Sequence, residues 1–143
     1  MKRRLLFSIA VFGLLSGVAF AGYEQPVPVE VDLVNMDALG DQLTARTSDN
    51  DVEFIGCGFR LTDDGVNPPY SWGFCQAGDS EENQITCFTV NANLLDTLKA
   101  SSAFAFITFS WQDDGFGGAE CTRIGFSTQS FYLDAKKKKA KKK

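Results

Sequence analysis

The chain contains no histidine, and that gap alone removes much of enzyme chemistry. Histidine is the commonest general base, and Ser-His or Cys-His nucleophiles and most zinc hydrolase sites depend on it. No GxxxxGKS/T phosphate loop and no GxSxG nucleophile elbow occurs. No CxxC pair occurs either, so the four isolated cysteines do not read as a zinc site. Asn-x-Ser/Thr glycosylation acceptors are missing, and nothing after residue 21 is apolar enough to span a bilayer. Basic side chains are scarce in the body. Residues 22–135 hold only Arg46, Arg60, Lys99 and Arg123 against all 18 acidic residues of the chain, a net charge of −14.

What the sequence does have begins with an export signal. Lys2, Arg3 and Arg4 precede an apolar run from Leu5 to Phe20, and Ala19-Phe20-Ala21 supplies the small-x-small pattern that signal peptidase accepts. The expected cut lies between Ala21 and Gly22. The short basic start reads as bacterial, which makes the periplasm or the extracellular medium the expected location. In that setting Cys57, Cys75, Cys87 and Cys121 read as two disulfides.

The segments that follow are a lead-in at 22–30, one domain at 31–135, and a tail at 136–143. Pro26 and Pro28 keep the lead-in extended, and Val27, Val29, Val31 and Leu33 alternate as in an edge strand. Residues 36–46 read as a short helix around Leu39 and Leu43. Strands are expected at 52–61, 70–77, 84–90, 104–111 and 120–127. Residues 93–102 form the good helix, with Asn93 as its cap and Leu94, Leu95 and Leu98 on one face. Residues 131–133 close the last edge. The fold class is therefore α+β: a small antiparallel sheet with one short helix, in the order β-β-β-α-β-β.

If the first hairpin turns around Glu81, Phe74 faces Phe88, Trp72 faces Val90, and Cys75 stands opposite Cys87 on the other side. That register favours a Cys75–Cys87 bridge and leaves Cys57 for Cys121. The phenylalanines at 104, 106 and 109 populate both faces of their strand, which reads as buried on both sides.

Candidate chemistry is thin. Asp63-Asp64 and Asp113-Asp114 offer paired carboxylates for glycoside hydrolysis, or oxygen ligands for calcium, as does Asp49-Asn50-Asp51. Aspartates before glycine are equally the usual composition of a solvated turn, and neither Asp-Asp-Gly loop has the EF-hand spacing. Tyr70, Trp72 and Trp111 are candidates for stacking on sugar rings. The tail concentrates Lys136, Lys137, Lys138, Lys139, Lys141, Lys142 and Lys143 in eight residues, a string suited to diffuse attraction to a polyanion such as lipopolysaccharide, anionic phospholipid or nucleic acid. No catalytic residue, cofactor or metal is assigned.

Thr44-Ala45-Arg46-Thr47-Ser48-Asp49 leading to Phe54-Ile55-Gly56-Cys57, with Phe106-Ile107-Thr108-Phe109 and Cys121-Thr122-Arg123-Ile124, resembles a family of small secreted bacterial proteins of unassigned function. The resemblance implies export and a single domain, and it carries no catalytic or binding residue. The expected function is that of an exported, noncatalytic interaction protein at an anionic envelope or matrix surface. A secreted inhibitor or glycan-binding module is the alternative, and a carboxylate hydrolase the third. N-terminal sequencing of exported material should begin at Gly22, and thiol titration should find no free thiol. An intact Met1 there would overturn the export reading.

Overall fold

A computed structural model describes residues 24–101 and 103–132. Signal residues 1–21, the cut at Ala21/Gly22, Leu133 and the lysines of 136–143 lie outside the described residues. The elements are β1 (Glu30–Asp32), β2 (Asp37–Asp41), α1 (Gln42–Thr47), β3 (Phe54–Thr62), β4 (Tyr70–Gly78), β5 (Gln84–Thr89), α2 (Ala92–Lys99), β6 (Phe106–Asp113) and β7 (Ala119–Ser127), followed by a 3-10 turn at Ser130–Tyr132. Among the described residues, one seven-stranded sheet holds all the strands in the order β1-β2-β6-β7-β5-β4-β3.

The sheet is mixed, not wholly antiparallel. Every neighbouring pair is antiparallel except β5 and β7, which run parallel through one registered pair, Phe88 with Glu120. The chain must cross over to make a parallel neighbour, and it does so through α2 and β6. The sheet is thus two antiparallel halves, β1-β2-β6-β7 and β5-β4-β3, meeting at a narrow seam. It is also strongly rolled. Although they stand far apart in strand order, β1 touches β4 and β2 touches β3. Glu53 Oε1 accepts the Val29 N–H at 3.2 Å across that gap.

The rolled interior holds the core. Val31, Ala38, Ile55, Ala77, Ile107, Phe109, Trp111 and Ile124 come from six strands, and Leu95 and Leu98 from α2. Helix α2 packs on β3, β4 and β7. Its seat is Gly73: a Cβ there would stand 2.2 Å from Leu98 Cδ1 and 3.2 Å from Leu95 Cδ2, so only glycine lets the helix approach this closely.

Several expectations are corrected. Residues 37–41 form a strand, not the start of a helix. Met36 takes a left-handed φ of 57°, which ends the β1–β2 turn and cannot begin a helix. Asp41 then caps α1 by accepting the Leu43 and Thr44 N–H groups, each at 3.2 Å. The long helix is capped by Asn91, two residues before the expected Asn93. Residues 131–132 belong to a 3-10 turn, and Tyr132 stacks on Phe106 with ring centroids 5.4 Å apart. That contact covers the outer side of β6 at its first residue, while Phe104 precedes the strand and stays exposed.

The hairpin register is as expected, with Phe74 opposite Phe88 and Cys75 opposite Cys87. The disulfide pairing is not. Cys57 is bonded to Cys75, and Cys87 to Cys121. Cys75 also faces Cys57 across the β3–β4 ladder, so it has a registered cysteine on each side, and hairpin register alone does not choose between them.

Because the space at Gly73 is filled by buried leucines, Gly73→Val should lower the urea midpoint by an amount equivalent to ~1–3 kcal/mol, with an unchanged m-value. Gly56→Ala, whose Cβ meets nothing within 4 Å, should be neutral or slightly stabilising. Equal effects at the two positions would contradict this helix–sheet packing.

Candidate binding face

Strand alternation sends Cys75, Ala77 and Cys87 inward and therefore Trp72, Phe74 and Phe88 outward. No element is needed to bury this outer side, because the core is already closed inside the roll. The three rings cluster there, with centroid separations of 5.8 Å for Trp72–Phe74, 6.1 Å for Trp72–Phe88 and 6.5 Å for Phe74–Phe88. Phe74 lies over the bare backbone of Gly58, where a Cβ would come within 2.6 Å of its ring. The Arg60 guanidinium covers the same ring at 5.2 Å. Phe88 remains 52% exposed, and Tyr70 extends the apolar area at 58%.

Beside the rings runs an open cleft of about 220 Å³, lined by Trp72, Phe88, Thr89 and Val90 on one side and by Asp114, Ala119 and Glu120 on the other. The first group belongs to β4, β5 and the residue that follows, and the second to the β6–β7 hairpin. The cleft therefore lies over the seam. A second hollow, about 290 Å³, is lined by Arg46, Glu53, Phe54 and Phe104 near α1. No family model matches the chain, and neither does any curated protein or solved structure. Function is therefore read from this geometry.

The aspartate pairs singled out from sequence are held in turns. Asp64 accepts the Val66 and Asn67 N–H groups at 2.9 and 2.8 Å and the Asn67 side-chain amide at 2.8 Å. These bonds, the Asn67 backbone first, pull its carboxyl down to about 2. Asp63 accepts the Gly65 N–H, and Asp113 that of Gly115. Asp114 accepts from Phe116 and Gly118, which lower it in that order. Asn50, between Asp49 and Asp51, accepts the Val52 and Glu53 N–H groups. Among the described residues no group of three or more His, Cys, Asp or Glu side chains is arranged to hold a metal ion.

The first DDG loop also reveals a motif that sequence reading missed. Asp32-Leu33-Val34-Asn35 makes the same three bonds as Asp64-Gly65-Val66-Asn67. The D-x-V-N repeat was its signal. Of the aromatic candidates, Trp111 is core, while Trp72 and Tyr70 are on the outer face of the sheet. Phe88, which was not among the candidates for stacking, joins them there, and Phe116 is 97% exposed in the β6–β7 loop.

Acid should unfold the protein through these turns. In Asp79, burial pushes the carboxyl up, but hydrogen bonds from Asn83, Glu81 and Val31 outweigh it, and the net direction is down. Asp32, Asp64 and Asp114 are lowered too. Each folded value lies below the unfolded value of about 3.9, so the unfolded chain takes up the proton first. The stabilisation is complete above that value and is lost as pH falls through the folded one. The urea midpoint should hold from pH 7 to about 5 and drop between about 4 and 2, with a shallower drop in Asp64→Asn. A midpoint flat down to pH 2 would contradict the lowered carboxyls.

Proposed function

We propose that the protein is an exported, noncatalytic binding protein that engages a partner protein through the outer aromatic face of β3–β5, while the lysine run at 136–143 attaches it to an anionic surface. The observation that carries this reading is the cluster of Trp72, Phe74 and Phe88 left on the outside of a sheet whose core is complete without it. Trp, Tyr and Arg are the residues enriched in binding hot spots, and Trp72, Tyr70 and Arg60 supply all three on adjacent strands. Beyond the rings, β3 has β4 as its ladder partner on one side, and Arg60, Leu61 and Thr62 are exposed. The acidic body favours a partner with a basic surface. A noncatalytic role fits the carboxylates spent on backbone N–H groups in Asp-rich turns.

The cleft favours one second reading, a glycan. Sugar rings stack on aromatic faces, and their hydroxyls donate to carboxylates such as Asp114 and Glu120, which line the same cleft as Trp72 and Phe88.

The tail and the face are separable by experiment. Mature protein, a Trp72→Ala/Phe88→Ala variant and a truncation ending at Ala135 would each be offered envelope extract, a glycan panel and anionic vesicles. The double variant should lose the partner by roughly 30-fold or more in affinity and keep vesicle binding. The truncation should do the reverse, and vesicle binding by the full chain should vanish as salt rises, since charges are screened beyond ~8 Å at physiological ionic strength. Unchanged partner capture by the double variant removes the aromatic face from the proposal. Salt-independent vesicle binding, or equal binding by the truncation, removes the tail. Loss of a glycan instead of a protein selects the second reading.

A further inference from the structure

The four cysteines stand in one row across the interior of the sheet. Cys57 is registered opposite Cys75, and Cys75 opposite Cys87, which is bonded to Cys121. Registered partners in an antiparallel pair point to the same face with Cα atoms about 4.5–5.5 Å apart. That spacing lies inside the range a disulfide spans. Cys75 thus has two neighbours it is able to bridge, although it is bonded to only one. Cys75 and Cys87 are both fully buried, whereas Cys57, on the edge strand β3, is half-buried. A thiol from solvent therefore meets the row at Cys57.

We propose that this row is a thiol–disulfide exchange path by which a dithiol reductant acting at Cys57 opens the seam between the two half-sheets. The reductant's thiolate attacks Cys57 Sγ, forming a mixed disulfide and releasing Cys75 as a thiolate. The reductant's second thiol then displaces Cys57, which leaves as a thiol while the reductant becomes an intramolecular disulfide. The Cys75 thiolate attacks Cys87 Sγ, a Cys75–Cys87 bond forms, and Cys121 leaves as a thiolate that takes a proton from water. In total, two electrons and two protons pass from the dithiol to the protein, and one of the two disulfides is lost. The surviving bond has moved from the seam to the β4–β5 ladder.

The consequence follows from topology. Cys87–Cys121 is the covalent link between β5 and β7, and the single registered pair of that junction, Phe88 with Glu120, is next to it in both strands. The β4–β5 ladder, by contrast, runs through six registered pairs and gains little from a crosslink. Exchange thus removes the staple where pairing is poorest and places it where pairing is already extensive. The aromatic cleft lies over that seam, and its two walls belong to the two halves.

The test is limited reduction of the mature protein with dithiothreitol, quenched by iodoacetamide and mapped without further reduction. Cleavage at Glu81 or Glu82 separates Cys75 from Cys87. The species reduced by two electrons should carry a Cys75–Cys87 bond with Cys57 and Cys121 alkylated in most molecules, and amide exchange should accelerate in β7 before β4. Alkylation of Cys57 and Cys75 with Cys87–Cys121 intact would overturn the proposal. A Cys57→Ser variant gives a second route, since it leaves Cys75 with Cys87 as its one registered cysteine. It should populate both Cys75–Cys87 and Cys87–Cys121 forms, and Cys87–Cys121 alone in folded material would also overturn it.

Discussion

The seam between β5 and β7 is the constraint on which the rest of this structure depends. Within the two antiparallel half-sheets, β1–β2, β6–β7, β3–β4 and β4–β5 align by local turns, and β2 joins β6 over five registered pairs. Joining them in parallel needs the crossover through α2 and β6, and it yields one registered pair, Phe88 with Glu120. A parallel contact this short contributes little on its own. The Cys87–Cys121 bond makes it permanent, and loss of unfolded-chain entropy makes such a crosslink worth ~3–4 kcal/mol, a large share of what a small domain has. Once the seam is fixed, β1 and β2 are carried round until they meet β3 and β4. Glu53, which accepts the backbone N–H of Val29, closes the last gap.

The outer aromatic face is a consequence of the same roll. A sheet that encloses its own core needs no second layer, so the outward side chains of β4 and β5 are free to be chosen for something other than packing. Over most of the outer surface they are polar: Ser110 donates to Asp37, and Arg123 binds both of them and Thr108. On β4 and β5, Gln76 and Thr86 are polar near the hairpin turn, and farther from it Trp72, Phe74 and Phe88 form the aromatic stretch. The contrast between these two stretches of one surface, not apolar exposure as such, is what supports the proposed binding face.

How much of this was legible in the sequence depended on the range of the interaction. Local signals read well: the hairpin centred on Glu81, the strands from Phe54 onward, and the helix whose Leu95 and Leu98 face the core all follow from alternation and spacing. Residues 37–41 did not, because Leu39 and Leu43 mimic a helical face, and only the left-handed Met36 and the cap at Asp41 reveal the break. The disulfides failed for a different reason. Register within one hairpin placed Cys75 beside Cys87 correctly, but nothing local shows that β3 brings Cys57 to the other side of Cys75, or that β7 lies parallel beside β5. For the same reason Tyr70, Trp72 and Trp111 were offered together as stacking candidates, although Trp111 is core. Which side of a hairpin is inside is decided by the closure of the whole sheet.

The cleft and the staple occupy the same place on opposite faces of the sheet, and that makes them thermodynamically inseparable. Phe88 and Glu120 line the cleft outside; the next residues along, Cys87 and Cys121, are bonded inside. A ligand seated in the cleft touches Trp72 and Phe88 of one half and Asp114 and Glu120 of the other, so it favours the closed seam over any opened one. By linkage, whatever factor the intact bond adds to ligand affinity, the ligand returns as resistance of that bond to exchange. Backbone pairing alone would couple the two only weakly, because a single registered pair transmits little. The covalent bond under the aromatic rings is what turns a thin junction into one rigid floor for the site.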